Sequence, residues 1–189
     1  WMGASNIKNT TMPLVGDFAP IAFYNYPDTL CTIVSSWTCS PKVVTVGNFK
    51  NQFDYVDVNG NQFILIGGEV GKLSANSSKG PNRLGVTKPD VAATGDGIMA
   101  ACPLWLSATL IISNPSMLAL GGQHVRNGGT SMASPVVAGI AALYLEKCPN
   151  STYQDFLNDL HTYGYEDVFN GLTPNNAYGY GKENTFYML

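Results

Sequence analysis

Residues 127–139, with the sequence Asn-Gly-Gly-Thr-Ser-Met-Ala-Ser-Pro-Val-Val-Ala-Gly, constrain this chain more than any other segment. A glycine pair leads into Thr130 and Ser131, and a helix of small residues is predicted to begin directly behind the serine. The N–H groups in the first turn of a helix have no acceptor within the helix, so they favour negative charge. A serine hydroxyl in this place suits acyl transfer, in which the hydroxyl attacks a carbonyl and an oxyanion forms.

The composition is typical of a compact, loop-rich α/β domain. The 189 residues are enough for one domain, and 45% are hydrophobic while 12% are charged. The net charge is −3 and no cluster of Lys and Arg occurs, so we expect no nucleic-acid partner. No apolar run reaches the ~18 residues of a membrane span, because prolines and polar residues interrupt residues 98–120, so we expect no membrane partner.

Short strands are predicted between glycine-rich and polar turns. The β-branched residues 42–47 predict a buried strand, and residues 54–66 predict a hairpin around the turn at residues 59–61. Residues 91–93 predict a further buried segment, which we expect to end in a turn over residues 94–97. Together with the helices that follow, these strands indicate an α/β sheet of which the chain holds a part.

Two helices are predicted in the second half of the chain. The first covers residues 131–147, and Pro149 follows its end. The second covers residues 153–162, with Ser151 or Thr152 as its N-cap.

The four cysteines leave their state open. Cys31, Cys39, Cys102 and Cys148 allow three disulfide pairings, and the first two could close a small loop. Their spacing fits no zinc motif. Buried free thiols and disulfides formed in an oxidising compartment are both compatible with the sequence.

Five segments, in the same order along the chain, resemble motifs of the subtilisin-like serine proteases (subtilases). They are residues 40–47, 74–81, 88–95, 127–139 and 177–182. The third matches K-P-D-[IV]-x-A-P-G except that Thr94 replaces the usual proline, a change we expect to loosen a turn without touching the chemistry. The tail of the chain is most like that of secreted bacterial members. The resemblance implies a subtilisin-like three-layer α/β fold with a mainly parallel sheet.

The same resemblance implies the site residues. Ser131 is the nucleophile, and its backbone N–H is one oxyanion donor. Thr130 supports the oxyanion site through its hydroxyl or by shaping the turn. The side-chain donor of the family is an asparagine, and Asn6 is the nearest match, with residues 7–39 as an insertion. Asn25 is the second candidate for this donor. The alternative that Asn6 is an ordinary loop asparagine without a catalytic role is also left open.

The base and the acid of a catalytic triad are not found in this sequence. The family order is Asp, His, Ser, with the first two upstream of the asparagine. His124 and His161 fit no family position, and we expect His161 to be solvated. We expect Asp90 to tie down neighbouring turns, and Asp17 and Asp28 have no motif around them.

We therefore expect residues 1–189 to be the C-terminal portion of one catalytic domain, whose Asp and His lie in an N-terminal portion outside this sequence. The hypothesis is a serine endopeptidase acting on protein or peptide substrates, located outside the cell or at its surface. This portion alone should be inactive. The alternative is a subtilase-like pseudoprotease that serves as a binding or scaffold module. An unrelated serine hydrolase is disfavoured because the Gly-x-Ser-x-Gly elbow is absent.

The chemistry implied by the family requires no cofactor. Structural calcium ions are common among subtilases, but no ligand cluster in the sequence identifies a metal site, so the metal content stays unknown.

Overall fold

The computed structural model describes residues 33–189, and Cys31, Asn6 and the rest of residues 1–32 lie outside it. Four strands precede the first α-helix of the described chain, a fifth strand follows that helix, and three helices complete it. In chain order they are β1 (Val46–Lys50), β2 (Asp54–Val56), β3 (Gln62–Ile64), β4 (Val91–Ala101), α1 (Leu104–Ser113), β5 (His124–Gly128), α2 (Thr130–Lys147), α3 (Tyr153–Thr162) and α4 (Thr185–Met188).

The sheet that carries the molecule's core has the strand order β1-β4-β5. β1 pairs in parallel with β4, and β4 pairs antiparallel with β5. β1 corresponds to the strand predicted over residues 42–47, but it begins later, at Val46, and runs on to Lys50. The predicted hairpin over residues 54–66 is confirmed as the antiparallel pair of β2 and β3.

The core lies between β4 and the helices α2 and α3. Val91 and Ala93 of β4 are fully buried and pack in one cluster with buried residues of the helices. Those residues are Ala133, Val137, Ile140, Tyr144, Phe156 and Leu160. The Tyr144 ring meets the Phe156 ring edge-on, and its hydroxyl donates to Asp159 Oδ2 at 2.6 Å, which joins α2 to α3.

Both predicted helices are confirmed. α2 begins one residue earlier than expected, at Thr130, and ends at Lys147 as expected. α3 has the expected bounds, and Thr152 is its N-cap. The Thr152 hydroxyl accepts from the Asp155 N–H while the Asp155 carboxylate accepts from the Thr152 N–H, so a reciprocal capping box fixes this end.

The predicted turn over residues 94–97 is wrong, because β4 continues through these residues to Ala101. Pairing with β1 on one side and β5 on the other carries the strand through this segment, with register shifts near Asp96 on both sides and a φ of 76° at Gly97. The glycines that suggested a turn serve close packing instead. A Cβ on Gly95 would lie 2.8 Å from Ala133 Cβ, and one on Gly97 would lie 2.9 Å from Leu65 Cδ1.

The helix α1, between β4 and β5, was not predicted. Its buried residue is Ser107, whose hydroxyl donates to the Gly122 carbonyl at 2.6 Å. Leu104, Trp105 and Ile112 are exposed. Since the large apolar residues point outward and a serine points inward, the usual helical pattern of apolar residues is absent. None of the helices in residues 33–189 is both long and apolar enough to cross a membrane.

The described cysteines form no disulfide with one another. Cys39, Cys102 and Cys148 are unpaired within the described part of the chain, and each is half-buried. The pairing considered for Cys31 with Cys39 involves a residue outside the described range.

Candidate active site

Ser131 lies in the first turn of α2, immediately after a sharp turn from strand to helix. β5 ends at Gly128 and α2 begins at Thr130, so Gly129 alone connects them. The φ of Gly129 is 118°, a value that side chains of L-residues rarely permit, which explains the glycine at this place. Ser131 is exposed, so its hydroxyl is open to a substrate.

The start of α2 also presents N–H groups beside this hydroxyl. The N–H groups of Met132 and Ala133 both donate to the Gly129 carbonyl, at 2.9 and 3.3 Å. The N–H groups of Thr130 and Ser131 precede them and have no acceptor within the helix. Together with the positive end of the helix dipole, they can stabilise an oxyanion that forms next to Ser131.

The turn is anchored on the central strand of the sheet. The Gly129 N–H donates to the Gly95 carbonyl of β4 at 2.6 Å. A Cβ on Gly95 would lie 2.8 Å from the Gly129 carbonyl oxygen, so the strand and the turn approach closely only because Gly95 has no side chain. The fully buried Ala133 continues this close contact between α2 and β4.

Pro135 changes the backbone hydrogen bonding around Ser131. It lies inside α2 and has no N–H to donate to the Ser131 carbonyl four residues earlier. The neighbouring Ser134 hydroxyl donates to the Thr130 carbonyl at 3.0 Å. The helix therefore keeps its first turn through side-chain and backbone bonds while the Ser131 carbonyl has no helical donor.

Neither described histidine lies beside Ser131. His124 begins β5, four residues before Gly128, which places it about 13 Å from the turn at the usual strand rise. His161 on α3 contacts Asp90 Oδ1 through Nε2 at 3.3 Å and stacks on Tyr180, with ring centroids 3.7 Å apart. The prediction of a solvated His161 is wrong, because the ring is half-buried between these partners. The base of a triad is thus absent from residues 33–189.

Asp90 has the structural role predicted for it. It is buried, and its Oδ2 accepts from the Thr45 N–H and from Lys88 Nζ, each at 2.7 Å. Burial would raise the pKa of this carboxyl, but the hydrogen bonds from His161, Lys88 and Thr45 outweigh it and hold the pKa below the usual value. Asp90 therefore ties β4 to the segment before β1 and to α3.

Of the other predicted site residues, the structure describes Thr130 alone. Thr130 is half-buried and directly precedes Ser131 in the turn. Asn6 and its competitor Asn25 lie outside the described residues, as do Asp17 and Asp28. The catalytic roles assigned to Ser131, Thr130 and Asn6 therefore stay predictions.

Comparison with known families agrees with this geometry. A model of the subtilase family matches residues 24–181. The chain belongs to the subtilase family. The match covers the nucleophile turn, the sheet and the tail as far as Gly181.

The subtilase chain resembles both plant and bacterial proteins. It is 44% identical over 73 residues to the subtilisin-like protease SBT3 of Solanum lycopersicum, covering 38% of this chain and 9% of that protein. It is 36% identical over 112 residues to the serine protease AprX of Bacillus subtilis (strain 168), covering 59% of this chain and 24% of that protein. The chain thus matches a quarter or less of each of these relatives' lengths, and bacterial members are not favoured over plant ones.

A solved structure supports the fold. Fervidolysin from Fervidobacterium pennivorans, a keratinolytic enzyme related to subtilisin, superposes with a TM-score of 0.52 over 78% of this chain and 19% of that chain, at 23% identity. At this level of identity the likeness concerns the fold alone. The predicted α/β subtilisin-like fold is confirmed, with one parallel and one antiparallel pairing in the described three-stranded sheet.

A shallow cavity of about 260 Å³ lies beside the nucleophile turn of the subtilase. Asp96 and Gly97 of β4 and Arg126 to Gly128 of β5 line it, together with Lys50. The Lys50 ammonium is buried and donates to the carbonyls of Leu65, Gly67 and Gly68 at 2.7, 2.5 and 3.1 Å. The Lys50 ammonium thus stabilises the loop of residues 65–68, which forms one wall of the cavity.

Residues 33–189 contain no group of three or more His, Cys, Asp or Glu side chains placed to hold a metal ion. The loop carbonyls that could serve as hard oxygen ligands at residues 65–68 are already occupied by the Lys50 ammonium.

Sequence reasoning missed Glu183. Its Oε1 accepts from the Thr94 N–H at 3.1 Å, and its Oε2 is buried with no hydrogen-bond partner among the described residues. Burial raises the pKa of Glu183 to about 7, against the opposing effects of the Thr94 hydrogen bonds and the Lys182 ammonium. One signal was available in the sequence, because a threonine in place of the family's proline supplies an N–H that needs an acceptor.

Proposed function

We propose that this subtilase chain is the C-terminal portion of the catalytic domain of a serine endopeptidase, with Ser131 as its nucleophile. The observation that carries the proposal is the exposed Ser131 in the first turn of α2, directly behind a positive-φ glycine. That turn presents N–H groups that have no acceptor within the helix at the place where an oxyanion would form.

In the proposed reaction the Ser131 hydroxyl attacks the scissile carbonyl of a protein or peptide. A histidine takes the hydroxyl proton, and the carbonyl oxygen becomes an oxyanion bound by the Ser131 N–H and the Asn6 side chain. The histidine then donates its proton to the leaving amine, and an acyl ester remains on Ser131. A water molecule attacks that ester, the carboxylic acid leaves, and the serine regains its proton.

The histidine and the aspartate that orients it would come from the N-terminal portion of the same domain. Residues 33–189 hold two histidines, and neither reaches the nucleophile turn. Without a base, the serine hydroxyl keeps a high pKa and is a weak nucleophile. The N-terminal portion is thus a required partner for activity, and the isolated chain should hydrolyse peptides little or not at all.

The proposed chemistry needs no cofactor, because the nucleophile, base and oxyanion donors are all protein groups. Any calcium ion would act on stability rather than on the reaction. A location outside the cell or at its surface is proposed from the resemblance of the tail to secreted members. Detection of the intact protein in washed cells and in the medium tests that location.

Peptide hydrolysis by the full-length protein tests the function. The wild type should cleave a mixed peptide library, and Ser131→Ala should lower kcat by at least about 10³-fold. Ser134→Ala is the matched control, since Ser134 is an exposed serine one turn further along α2 whose hydroxyl binds the helix backbone. It should keep kcat within about twofold, because this hydroxyl makes one backbone bond away from the reacting atoms.

The alternative makes the opposite claim. A folded full-length protein that cleaves no peptide and whose Ser131→Ala variant behaves identically would be a pseudoprotease acting by binding. The intact turn argues against that reading, because it keeps its glycine, its exposed serine and N–H groups that have no acceptor within the helix.

A further inference from the structure

The carboxyl of Glu183 reaches the strand that anchors the nucleophile turn. The tail pairs with the start of β4, where the Ala92 N–H donates to the Gly181 carbonyl at 2.9 Å and the Glu183 N–H donates to the Ala92 carbonyl at 2.8 Å. This pairing holds the Glu183 backbone against β4. Its side chain then extends two residues along the strand to accept from the Thr94 N–H at 3.1 Å.

Thr94 and Gly95 are consecutive residues of β4, and each makes one hydrogen bond that connects β4 to another segment. Thr94 gives its N–H to Glu183, and Gly95 gives its carbonyl to the Gly129 N–H at 2.6 Å. A proline at position 94, as in the family motif, would have no N–H to give. The pair of Thr94 and Glu183 is thus a feature of this chain, placed one residue from the anchor of the Ser131 turn.

We propose that Glu183 is a positioning residue for Ser131. Its carboxylate holds the Thr94 N–H, and this fixes β4 at the point where the Gly95 carbonyl holds the Gly129 N–H. Glu183 touches neither substrate nor reacting atoms and acts through β4 alone. The inference rests on the proposed function for its effect on turnover, while its effect on the Gly129 bond stands apart from any activity.

The setting of Glu183 makes the bond sensitive to protonation. Its Oε2 is buried without a partner among the described residues, so ionisation is disfavoured. The groups that favour ionisation are the Thr94 N–H and hydroxyl on β4 and the Lys182 ammonium on the tail. Lys182 itself donates to the Asp167 carboxylate, which shares its charge. Because the buried carboxyl favours its neutral form, opening that exposes Glu183 to water should become easier as pH rises through neutrality.

Amide hydrogen exchange of the full-length protein tests the positioning directly. The Gly129 N–H should be protected at pH 8, and Glu183→Ala should raise its opening constant by about tenfold, the effect of losing one hydrogen bond to a charged acceptor. Glu183→Gln keeps an uncharged acceptor of the same size. It should retain most of the protection and show no change in the opening constant between pH 6 and pH 8.

Steady-state kinetics gives the second readout. Glu183→Ala should lower kcat about tenfold with KM within about twofold, because the loss concerns the geometry of attack rather than substrate binding. Glu183→Gln should stay within about twofold of wild-type kcat at pH 8 and lack the change in kcat that titration of Glu183 causes between pH 6 and pH 8. Glu146→Gln, at an exposed position on α2, is the charge-matched control and should change neither readout.

The outcomes separate this inference from the proposed function. An unchanged Gly129 exchange rate in Glu183→Ala overturns the positioning role, whether or not the protein cleaves peptides. An increased exchange rate in a protein that never cleaves peptides supports the anchor and overturns the proposed function instead. If both Glu183 variants lose thermal stability equally and kcat and its pH profile stay at wild-type values, Glu183 serves stability alone.

Discussion

The Gly129 N–H donates to the Gly95 carbonyl across 2.6 Å, and this bond joins the central strand of the sheet to the turn that carries Ser131. β4 lies between β1 and β5, and its first residues are fully buried. The hydroxyl is therefore positioned by the buried central strand of the described sheet, although Ser131 itself is exposed. Precise attack geometry in an open site requires such support.

Replacing Gly95 by alanine should push the turn away from β4. The new Cβ would lie 2.8 Å from both the Gly129 carbonyl oxygen and Ala133 Cβ, and neither can move aside as a flexible side chain would. We expect the free energy of unfolding to fall by about 1–3 kcal/mol and peptide hydrolysis to fall with it. Denaturant titration and kcat/KM of the full-length protein measure the two effects.

Gly139→Ala is the matched control for that substitution. A Cβ on Gly139 would meet nothing within 4 Å, and the residue lies inside α2, where alanine is favoured over glycine. We expect unchanged activity and a gain in stability of up to about 1 kcal/mol. Equal losses in both variants would contradict a role for close packing at Gly95.

Gly129→Ala isolates the backbone conformation of the turn. Nothing lies within 4 Å of the position that its Cβ would take, so the effect comes from the φ of 118° alone. We expect a loss of about 1–3 kcal/mol in stability and reduced labelling of Ser131 by acylating probes. Retention of wild-type stability and labelling would show that the turn tolerates another conformation.

Glu183 should make stability depend on pH. Its pKa is raised from 4.5 to about 7 in the folded chain, so between these values the folded state binds more protons than the unfolded state. The contribution of Glu183 is then fully present below pH 4.5 and is lost as pH rises through about 7. Glu183→Gln should raise the free energy of unfolding at pH 8 by up to about 3 kcal/mol relative to its effect at pH 4.5. Urea titrations at the two pH values check this, and parallel curves for both proteins would contradict it.

Lys50→Met should loosen the loop of residues 65–68. The substitution keeps the apolar stem but leaves three carbonyls without the ammonium that they now bind. We expect a loss of about 2–4 kcal/mol in the free energy of unfolding. Lys72→Met, at an exposed position in the same region, should change stability by less than about 0.5 kcal/mol.

The parts of the fold that follow local rules could be predicted from the sequence. α2 and α3 have strong start and stop signals, and the hairpin of β2 and β3 surrounds an Asn-Gly turn. The nucleophile turn could be located because Gly129, Thr130 and Ser131 are contiguous. In each case the deciding interactions lie within a few residues of one another along the chain.

The features that depend on distant contacts were missed. Gly95 and Gly97 suggested a turn, but β4 continues through both because it pairs with strands from distant parts of the chain, and Gly97 takes a φ of 76° where the register shifts. α1 escaped prediction because its apolar residues face outward. Glu183 could be recognised as a positioning residue only from the pairing of the tail with β4. No local sequence pattern predicts that pairing.

The most direct test of Ser131 as the nucleophile is to treat the full-length protein with a fluorophosphonate and locate the adduct by peptide mass mapping. We expect one adduct, on Ser131, that is abolished by Ser131→Ala and retained by Ser134→Ala. An adduct on another residue, or no adduct on a folded full-length protein that contains the N-terminal portion, would contradict the assignment.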